Sequence, residues 1–413
     1  MLNSSEIEAF GYSNLGPIFH RFLLKVRTAQ HAVESEDPVI LFMARGGLRL
    51  HHFYQVLYPA QSKQMQSGLM RDLYVSRFAV FKAALALKSE FAVKQIESLF
   101  ANKSCSDTIM LLTTPELFRS WHGELTESQA IQYASTSPNR EFFGRIFAQG
   151  HPIDHKLVAY FETQLRLLKQ HFEAVVGSRK KVLLVDTGWS GSIAAGLQEI
   201  FSEHDIVSIF FGKFSYFGKV RGAWLNDLVG LEIEGEGYLP WKPTTALLLN
   251  RHLIEGVCEV NFPSVSTYHQ SEDGKLILSP DYEDLSLRVP KSDEALAVGV
   301  QRYLQDHQDI DVAHVVANAV KAHSRLHRFS LFPTRKSVDI GRFSRSIDMG
   351  QSGETNIVLD AKQGSSFFQK IARMRKSLWV PGQIAVEFNW LRIPLQLSYA
   401  AFCFIKTMRL RMR

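Results

Sequence analysis

Strand-like apolar runs that alternate with helical patterns are the feature of this sequence that most constrains its fold. The run KKVLLVD at 180–186 has the pattern of a buried strand. SIAAGLQEIFSEH at 192–204 has the apolar spacing of a helix, and IVSIFFGKF at 206–214 is a second strand. A strand, a helix and another strand in close succession form a right-handed crossover between parallel neighbours. The sequence therefore predicts an α/β protein built on a parallel sheet.

Three further segments are predicted to extend this sheet. DPVILFMA at 37–44 is a continuous apolar run that begins at Asp-Pro, which is typical of a strand buried on both faces. DLYVSR at 72–77 and LVGLEIEG at 228–235 are shorter strand candidates. Helical spacing over LRLHHFYQVL at 48–57 predicts a helix between the first two of these strands.

The rest of the chain is predicted to be mainly helical. Apolar spacing predicts an N-terminal helical segment over 1–32, followed by an α/β core at 33–240. That core contains a large helical insertion over about 78–175. One strand signal, TIMLLTT at 108–114, interrupts the insertion. The region 241–413 follows as a mainly helical C-terminal part.

Two stretches of the C-terminal part are predicted to lack regular structure. Residues 266–291 are polar and contain Gly and Pro, which favours a loop or linker. Residues 335–365 are rich in Ser, Gly and Asp, which favours a long excursion over the surface.

Composition and charge exclude several classes of protein. The three cysteines are scattered, without a CxxC pair or a histidine cluster at metal-ligand spacing. This argues for a reducing compartment and against a structural zinc site. The N-terminus lacks a basic start followed by an apolar core, so a cytoplasmic protein is expected. The formal net charge is only +6 and no RNA- or DNA-binding motif is present, so nucleic acid is not an expected partner.

The positive charge is concentrated near the C-terminus. Within residues 370–413, an apolar run at 393–405 lies between two groups of basic residues. The run is shorter than the roughly 20 residues that a helix needs to cross a bilayer. Two interpretations remain open. The segment is either a helix in peripheral contact with the anionic inner membrane, or a core-packing helix with a solvated basic tail.

Two loops, each predicted to follow a strand and open a helix, carry the candidate site. The first consists of Ala44, Arg45, Gly46 and Gly47. Paired glycines let the backbone approach a ligand and direct N–H groups at an anion, and a guanidinium suits phosphate oxygens. Ligands in open α/β sheets bind beyond the carboxyl ends of the strands, where this loop is predicted to lie. The alternative is a tight strand-to-helix turn without a ligand.

The second loop follows VLLV and combines an acid with small hydroxyl residues and glycines: Asp186, Thr187, Gly188, Trp189, Ser190, Gly191 and Ser192. Hydroxyl groups, N–H groups and a helix N-terminus together form a phosphate cradle. The acid at the strand end suits ribose hydroxyls or a magnesium ion. The alternative is that Ser190 or Ser192 only caps the helix.

Other phosphate-handling motifs are absent from the sequence. It contains no GxxxxGK[ST] P-loop, no GxGxxG dinucleotide fingerprint and no GxSxG nucleophile elbow. Gly188 stands two positions after Asp186, where a phosphoaspartate hydrolase has a second aspartate. A phosphohydrolase on the same sheet is therefore the less favoured enzyme, and a non-catalytic scaffold that binds phosphate or nucleotide in glycan assembly is the alternative from a different class.

The two loops resemble those of the type I phosphoribosyltransferases. In that family the first loop grips the pyrophosphate, and the second grips the 5-phosphate, of phosphoribosyl pyrophosphate. VILFMARGGLRLHHFY resembles the pyrophosphate-loop unit of the purine-salvage members, and VLLVDTGWSGSIAAGL resembles their phosphate-loop unit. Those enzymes place two adjacent acids before the second loop, whereas Val185 precedes a single Asp186 in this chain.

A second resemblance covers most of the chain. Bacterial polysaccharide-biosynthesis phosphoribosyltransferases carry a similar ARxG loop, YVSR strand, VDxGWxGS loop, later liE-type segment and FPT. The matching positions are Ala44–Gly47, Tyr74–Arg77, Val185–Ser192, His252–Glu255 and Phe332–Thr334. Members of this family are often fused to, or encoded beside, a haloacid-dehalogenase-type phosphatase.

The resemblance implies a function and a set of partners. A member of this family transfers ribofuranose 5-phosphate from phosphoribosyl pyrophosphate to a lipid-linked glycan, as in O-antigen synthesis, and releases pyrophosphate. The resemblance also implies a parallel-sheet type I phosphoribosyltransferase-like core and Mg²⁺ held mainly by the donor pyrophosphate. Because this chain has no phosphatase motif, removal of the phosphate from the product is expected to need a separate phosphatase.

On this interpretation the first loop stabilises the pyrophosphate through Arg45 and the N–H groups of Gly46 and Gly47. The second loop holds the 5-phosphate, while Asp186 contacts the ribose and the positive charge that develops on it.

Further roles are expected near a neighbouring strand end and in the C-terminal part. Tyr74, Ser76 and Arg77 are expected to contact pyrophosphate or acceptor. Glu255 and Asp186 are the candidate general bases for the acceptor hydroxyl. For Glu255 the alternative is a solvated helix carboxylate, and for Trp189 a sugar platform and a buried core position are both open.

Overall fold

Five parallel strands form the central sheet of the computed structural model. They are β1 (Val39–Met43), β2 (Met70–Leu73), β3 (Lys181–Trp189), β4 (Asp205–Lys213) and β5 (Leu228–Glu234). Their order across the sheet is β2-β1-β3-β4-β5, and each neighbouring pair is parallel. The predicted α/β class with a parallel sheet is confirmed.

The structure describes most of the chain. The described residues are 3–59, 69–214, 228–235, 237–260, 262–280, 285–341, 344–346, 355–357, 359, 366–388 and 390–412.

Helices make up most of the described structure outside the sheet. Those that precede β3 are α1 (Ser4–Phe10), α2 (Gly16–Ala32), α3 (Gly46–Leu57), α4 (Arg77–Ala86), α5 (Glu90–Leu99), α6 (Cys105–Leu112), α7 (Pro115–His122), α8 (Glu127–Ser135), α9 (Arg140–Phe147) and α10 (Pro152–Val176). Those that follow β3 are α11 (Ser192–Ile200), α12 (His252–Cys258), α13 (Ala295–Asp306), α14 (Val312–Leu331), α15 (Phe367–Lys376), α16 (Val380–Glu387) and α17 (Arg392–Arg411).

Short elements complete the described structure. A π-helical turn, Gly11–Leu15, joins α1 to α2. There are 3₁₀ helices at Glu34–Glu36, Pro243–Asn250, Leu285–Arg288 and Ser337–Gly341. Two antiparallel hairpins lie in the C-terminal part and consist of β6 (Thr267–Gln270) with β7 (Leu276–Ser279), and β8 (Ser344–Ser346) with β9 (Thr355–Ile357).

The sheet is buried on both faces at its centre, because β1 and most of β3 are apolar. Successive side chains of a strand point to opposite faces. Along β1, Leu41 belongs to a core cluster formed with the helices between β2 and β4, whereas Ile40 and Phe42 belong to a second cluster formed with α2, α3 and the C-terminal helices α13 and α14. A continuous apolar run such as VILFM is what a strand covered by helices on both sides requires.

The strand order places a topological switch point between β1 and β3. From β1 the chain passes to β2 at one edge, and from β3 it passes to β4 and β5 in the opposite direction. Helices that follow β1 and β3 pack on opposite faces, because α3 contributes to one core cluster and α11 to the other. In doubly wound sheets of this order, the crevice at the carboxyl ends of the two strands is the usual ligand site.

Two predictions from composition are wrong. TIMLLTT at 108–114 is not a strand, because Ser104 and Asp107 form a capping box that starts α6 and the helix continues to Leu112. The stretch 266–291 is not a bare linker, because it contains the β6–β7 hairpin. Within that hairpin Tyr268 is buried and hydrogen-bonded to Gln164 of the insertion.

Two further predictions are corrected in extent. β2 ends at Leu73, so residues 74–76 of the predicted strand DLYVSR form the connection to α4, and Arg77 is the first residue of that helix. In the predicted excursion 335–365, Val338 of the 3₁₀ helix is buried and β8 pairs with β9. The remainder of that stretch at 342–343, 347–354, 358 and 360–365 lies outside the described residues.

The apolar run 393–405 lies within α17. Across the described part of the chain, no helix combines the length and the apolar character that crossing a bilayer requires.

Candidate functional site

The carboxyl ends of β1 and β3 bring the two predicted loops to one edge of the sheet. Phe42 of β1 is beside Val185 of β3, so the segments that follow these residues start side by side. A Cβ atom added to Gly46 would lie 3.0 Å from Cγ2 of Thr187 and 3.2 Å from Oδ1 of Asp186. The backbone of the first loop is therefore in contact with side chains at the start of the second.

The second loop is shorter than predicted, because β3 continues as far as Trp189. Gly188 is beside Gly212 of β4, and Trp189 is beside Lys213, whereas the pairing of β3 with β1 ends at Val185. Residues 186–189 are thus part of the sheet on one side only. Their other side faces the first loop and the start of α3.

Two glycines of this segment have backbone conformations and surroundings that exclude a side chain. Gly188 has φ +116°, and a Cβ atom there would lie 2.2 Å from the carbonyl oxygen of Gly212. Gly191 has φ +71°, and its Cβ would lie 2.3 Å from Cδ1 of Leu228. The Ala44–Arg45 and Gly188–Trp189 peptide bonds are cis. Glycine at 188 and 191 lets the chain end β3 at Trp189 and begin α11 at Ser192, with only two residues between them.

The helices that follow the two loops start without a side-chain cap. In the described structure, α3 begins after Arg45 and α11 begins after Gly191, and neither N-terminus donates a backbone N–H to a capping side chain. The alternative role of Ser190 or Ser192 as a helix cap is therefore wrong. The first N–H groups of a helix carry partial positive charge and bind anions. Two such ends follow the adjacent strands β1 and β3.

Arg45 is held at the first loop by the segment after α12. Its Nη2 forms an ion pair with Oε2 of Glu259 at 3.1 Å, and its Nη1 donates to the carbonyl oxygen of Phe262 at 3.1 Å. The Arg45 side chain is mostly buried. The guanidinium thus stays beside the loop, and Glu259 joins the site although the sequence pattern did not single it out.

Asp186 is a buried carboxyl group with perturbed acidity. Burial raises its pKa from the usual 3.8 to about 7, and the charges of Glu259 and Glu255 add to that rise. Hydrogen bonds from the backbone and side chain of Thr187 oppose it. A carboxyl group that titrates near neutral pH inside a cleft is suited to accept or hold a proton.

Glu255 is buried and fully engaged in the protein. Its Oε1 accepts a hydrogen bond of 3.0 Å from Nε1 of Trp189, and its Oε2 lies 2.7 Å from Nδ1 of His252. The alternative of a solvated helix carboxylate is wrong, because Glu255 is only 4% exposed. Both carboxylate oxygens position protein groups, so Asp186 is the better candidate for a general base.

Trp189 occupies a core position instead of presenting a sugar platform. Its side chain is buried, and its ring packs so closely on Gly212 that a Cβ there would lie 2.2 Å from Cζ3 of the indole. Its role at the site is to link the end of β3 to Glu255 of α12.

Tyr74 lies in a polar cluster at the carboxyl end of β2, next to β1. Its hydroxyl donates to Oδ2 of Asp72 at 3.4 Å, and Asp72 also forms an ion pair with Arg288. The other carboxylate oxygen of Asp72 lies 2.7 Å from Nδ1 of His51. Burial, followed by the charge of Asp72, raises the pKa of Tyr74. Only Tyr74 of this cluster was predicted from the sequence.

Ser76 and Arg77 lie at the start of α4, outside the polar cluster of Tyr74. Ser76 is buried, where its hydroxyl caps α4 by accepting from the N–H of Ala79 and donates to the carbonyl oxygen of Val265. Arg77 is the first residue of α4 and is exposed. Ser76 thus has a structural role in the described protein.

Arg49 is a further residue that sequence reasoning missed. It lies one helical turn after Arg45 on α3, is fully buried, and its Nη2 forms hydrogen bonds of 2.9 and 3.1 Å with Glu294. Its Nε and Nη1 have no hydrogen-bond partner within the described structure. Burial raises the pKa of the Cys258 thiol. The charge of Arg49 lowers this pKa, and the charge of Asp186 raises it. The sequence did offer one signal for Arg49, which is an arginine among the apolar residues of a predicted helix next to the first loop.

The site offers carboxylates but no preformed metal cage. In the part of the chain that the structure describes, no group of three or more His, Cys, Asp or Glu residues is arranged to hold a metal ion. Asp186 and Glu259 are nevertheless close enough for their charges to repel. Carboxylate oxygens are ligands that Mg²⁺ prefers, usually one or two together with phosphate oxygens. The two residues fit such a partial site.

Comparisons with known proteins give no further constraint on the site: no protein-family model matches the chain, and no curated protein matches it in sequence. The fold and the site define an α/β protein with two strand-to-helix loops and a buried carboxyl group at a switch point. Its function must be argued from the chemistry of that site.

Proposed function

We propose that the chain is a phosphoribosyltransferase that transfers ribofuranose 5-phosphate from phosphoribosyl pyrophosphate to a glycan hydroxyl. The observation that carries the proposal is that two uncapped helix N-termini follow the adjacent strands β1 and β3, and that Gly46 at the start of α3 lies close to Thr187 and Asp186 of β3. Two helix ends beside a buried carboxyl group suit a donor in which a ribose joins a pyrophosphate to a phosphate.

Each helix end is suited to one phosphate group of the donor. The N–H groups of Gly46 and Gly47 at the start of α3, with the neighbouring guanidinium of Arg45, would hold the pyrophosphate. The N–H groups at the start of α11, with the hydroxyl groups of Thr187, Ser190 and Ser192, would hold the 5-phosphate. This assignment follows the order of the two loops in the type I phosphoribosyltransferases that the sequence resembles.

In this proposal Asp186 acts on the ribose that joins the pyrophosphate to the 5-phosphate. In the reaction the bond from the anomeric carbon to pyrophosphate breaks, and a bond from that carbon to the acceptor oxygen forms. The carboxylate of Asp186 stabilises the positive charge that develops on the sugar. It also accepts the proton of the acceptor hydroxyl, for which a pKa of about 7 is well suited.

Mg²⁺ would supply charge neutralisation of the leaving pyrophosphate. Glu259 would provide a protein oxygen, while most of the ligands would come from the donor. Glu259 also holds the guanidinium of Arg45 at 3.1 Å. The carboxylate of Glu259 therefore also orients the guanidinium of Arg45 beside the first loop.

The acceptor is proposed to be a lipid-linked glycan of a bacterial polysaccharide, as the resemblance over most of the sequence implies. Tyr74 and Arg288, which lie within hydrogen-bond reach of each other beside β1, are suited to contact sugar hydroxyl groups. A separate phosphatase would then remove the 5-phosphate from the product.

Calorimetric titration of the protein with phosphoribosyl pyrophosphate and Mg²⁺ tests the donor. We expect micromolar binding that is lost in Arg45→Gln and weakened in Asp186→Asn. Arg302→Gln is the matched control, because Arg302 is an exposed arginine of α13 that pairs with Glu8. Pyrophosphate and ribose 5-phosphate, titrated separately, should each bind more weakly than the whole donor.

Three other results would contradict the proposal and separate its alternatives. Release of inorganic phosphate without an acceptor would indicate a phosphohydrolase. Donor binding that survives both variants would indicate a non-catalytic scaffold with its ligand elsewhere. The absence of binding by the folded wild-type protein would exclude phosphoribosyl pyrophosphate as the donor.

A further inference from the structure

The C-terminal helix α17 has one face packed on the protein and an opposite face that is apolar and exposed. Gln396 and Thr407 on the inner face are buried, and Gln396 donates to the carbonyl oxygens of Pro333 and Pro381. The outer face carries large apolar side chains that are about half exposed or more: Ile393, Leu397, Phe402, Ile405 and Met412. Contiguous exposed apolar surface on one helix marks an interaction site.

Two aromatic side chains that precede α17 in the sequence are also exposed. Trp390, in the turn before α17, is 85% exposed, and Phe368 at the start of α15 is 83% exposed. We call the exposed apolar residues of α15, α17 and the turn before α17 the C-terminal apolar face. Tryptophan and phenylalanine are common where a protein meets the headgroup region of a bilayer.

The charged residues of α15 and α17 are all of one sign. α17 has the sequence RIPLQLSYAAFCFIKTMRLR, which contains four basic residues and no acidic one. In α15, Arg375 and Lys376 are exposed. Arg373 of the same helix is instead paired with Glu387 inside the protein. An apolar helix face whose own helices carry cations and no anions is complementary to a surface that is both apolar and negatively charged.

We infer that the C-terminal apolar face docks on the surface of an anionic lipid bilayer, with α17 lying in the plane of the interface. The basic side chains would reach the lipid headgroups while the apolar side chains enter the acyl boundary. A second copy of the chain fits less well, because two copies of this face would bring cations together without acidic partners. The inference stands independently of the proposed transferase activity.

Sedimentation of the full chain with lipid vesicles tests the inference. The chain should bind vesicles of phosphatidylcholine mixed with phosphatidylglycerol, and bind vesicles of phosphatidylcholine alone much less. The double variant Leu397→Asp, Ile405→Asp should lower binding at least roughly tenfold, because it removes two apolar groups and adds two negative charges. The matched control is Ile131→Asp, which changes an exposed isoleucine of α8 in the insertion.

Intact folding of each variant is checked by circular dichroism and thermal melting. Unchanged vesicle binding by a folded double variant would overturn the inference. Equal binding to neutral and anionic vesicles would overturn its electrostatic part, and with it the choice of an anionic surface. A dimer that the double variant converts to a monomer, without vesicle binding by the wild type, would assign the face to a second copy instead.

A separate variant, Arg409→Glu with Lys406→Glu, should weaken binding to anionic vesicles while leaving the apolar residues intact.

Discussion

The indole N–H of Trp189 donates a hydrogen bond of 3.0 Å to Oε1 of Glu255, although the two residues are 66 positions apart. This bond joins the end of β3 to α12, an element from the C-terminal part of the chain. Because His252 engages the other oxygen of Glu255, this carboxylate is committed to holding the structure. Asp186, at the same strand end, is the carboxyl group left for chemistry.

Trp189→Phe should destabilise the protein by about 1–3 kcal/mol, since it leaves Oε1 of Glu255 buried without its donor. Chemical denaturation followed by circular dichroism measures the change in the free energy of unfolding. Trp241→Phe is the control, because Trp241 is 65% exposed, and its effect should stay within about 0.5 kcal/mol. Equal effects of the two substitutions would show that the bond to Glu255 contributes nothing.

Asp186→Asn should stabilise the protein, and the gain should grow with pH. Burial raises the pKa of Asp186 from 3.8 to about 7, so between these values the folded chain keeps a proton that the unfolded chain has lost. The stability of the wild type therefore falls as pH rises through this window, by up to about 4 kcal/mol. Asn removes that penalty and keeps an oxygen for Thr187. Melting temperatures of both proteins between about pH 4 and pH 8 measure the difference, and a constant difference would contradict the raised pKa.

The transfer rate should rise with pH and reach half its maximum near pH 7, because the reaction requires the carboxylate form of Asp186. Pyrophosphate release with a lipid-linked glycan acceptor provides the measurement. Asp186→Asn should be folded and more stable yet inactive, which is the combination expected at a functional site and not at a structural one. A pH-independent rate in the wild type would remove Asp186 from the role of base.

Gly188→Ala should be far more disruptive than Gly177→Ala, although both glycines have positive φ. At Gly177 a Cβ atom would meet nothing within 4 Å, so alanine there costs only backbone strain of about 1–3 kcal/mol. At Gly188 the Cβ would overlap the carbonyl oxygen of Gly212, which adds at least about 2 kcal/mol. Unfolding free energies of the two variants give the comparison. A smaller effect at Gly188 would mean that β3 and β4 separate at this point.

Much of the sheet could be predicted from the sequence because its strands are buried on both faces. The runs VILFM and VLLV are apolar without alternation, and the two loops that follow them contain glycines, which tight strand-to-helix turns favour. The failure at 108–114 has a local cause. The β-branched residues of TIMLLTT favour a strand. The capping box formed by Ser104 and Asp107 instead favours the start of a helix, and this helix is part of the helical insertion.

The rest of the site depends on tertiary contacts that no local pattern contains. Glu259 reaches the first loop only because α12 packs beneath it, and its partner Arg45 lies 214 positions earlier in the chain. Arg288 joins Asp72 in the same way, from a 3₁₀ turn after the hairpin. The position of a loop that follows a strand is set by the topology of the sheet, so such loops could be predicted. The position of a residue from a distant segment depends on how that segment packs, so Glu259 and Arg288 could not be predicted.

The ion pair of Arg49 with Glu294 provides the sharpest test of electrostatics at the switch point. Arg49 is fully buried one turn after the first loop, while the side chain of Glu294 is 20% exposed. Arg49→Met should weaken binding of phosphoribosyl pyrophosphate at least roughly tenfold, because it removes a positive charge near two anion-binding helix ends. Glu294→Gln should strengthen binding, because it removes the negative charge that offsets Arg49.

Stability should respond to these two substitutions differently from affinity. Glu294→Gln leaves a buried guanidinium without a charged partner and should cost about 3 kcal/mol, whereas Arg49→Met leaves a carboxylate that water can reach and should cost less. Calorimetric titration measures the affinities, and chemical denaturation measures the stabilities. If both variants lost stability while donor affinity stayed the same, Arg49 would serve the fold alone. Opposite changes in affinity would instead establish that its charge acts on the ligand at the ends of β1 and β3.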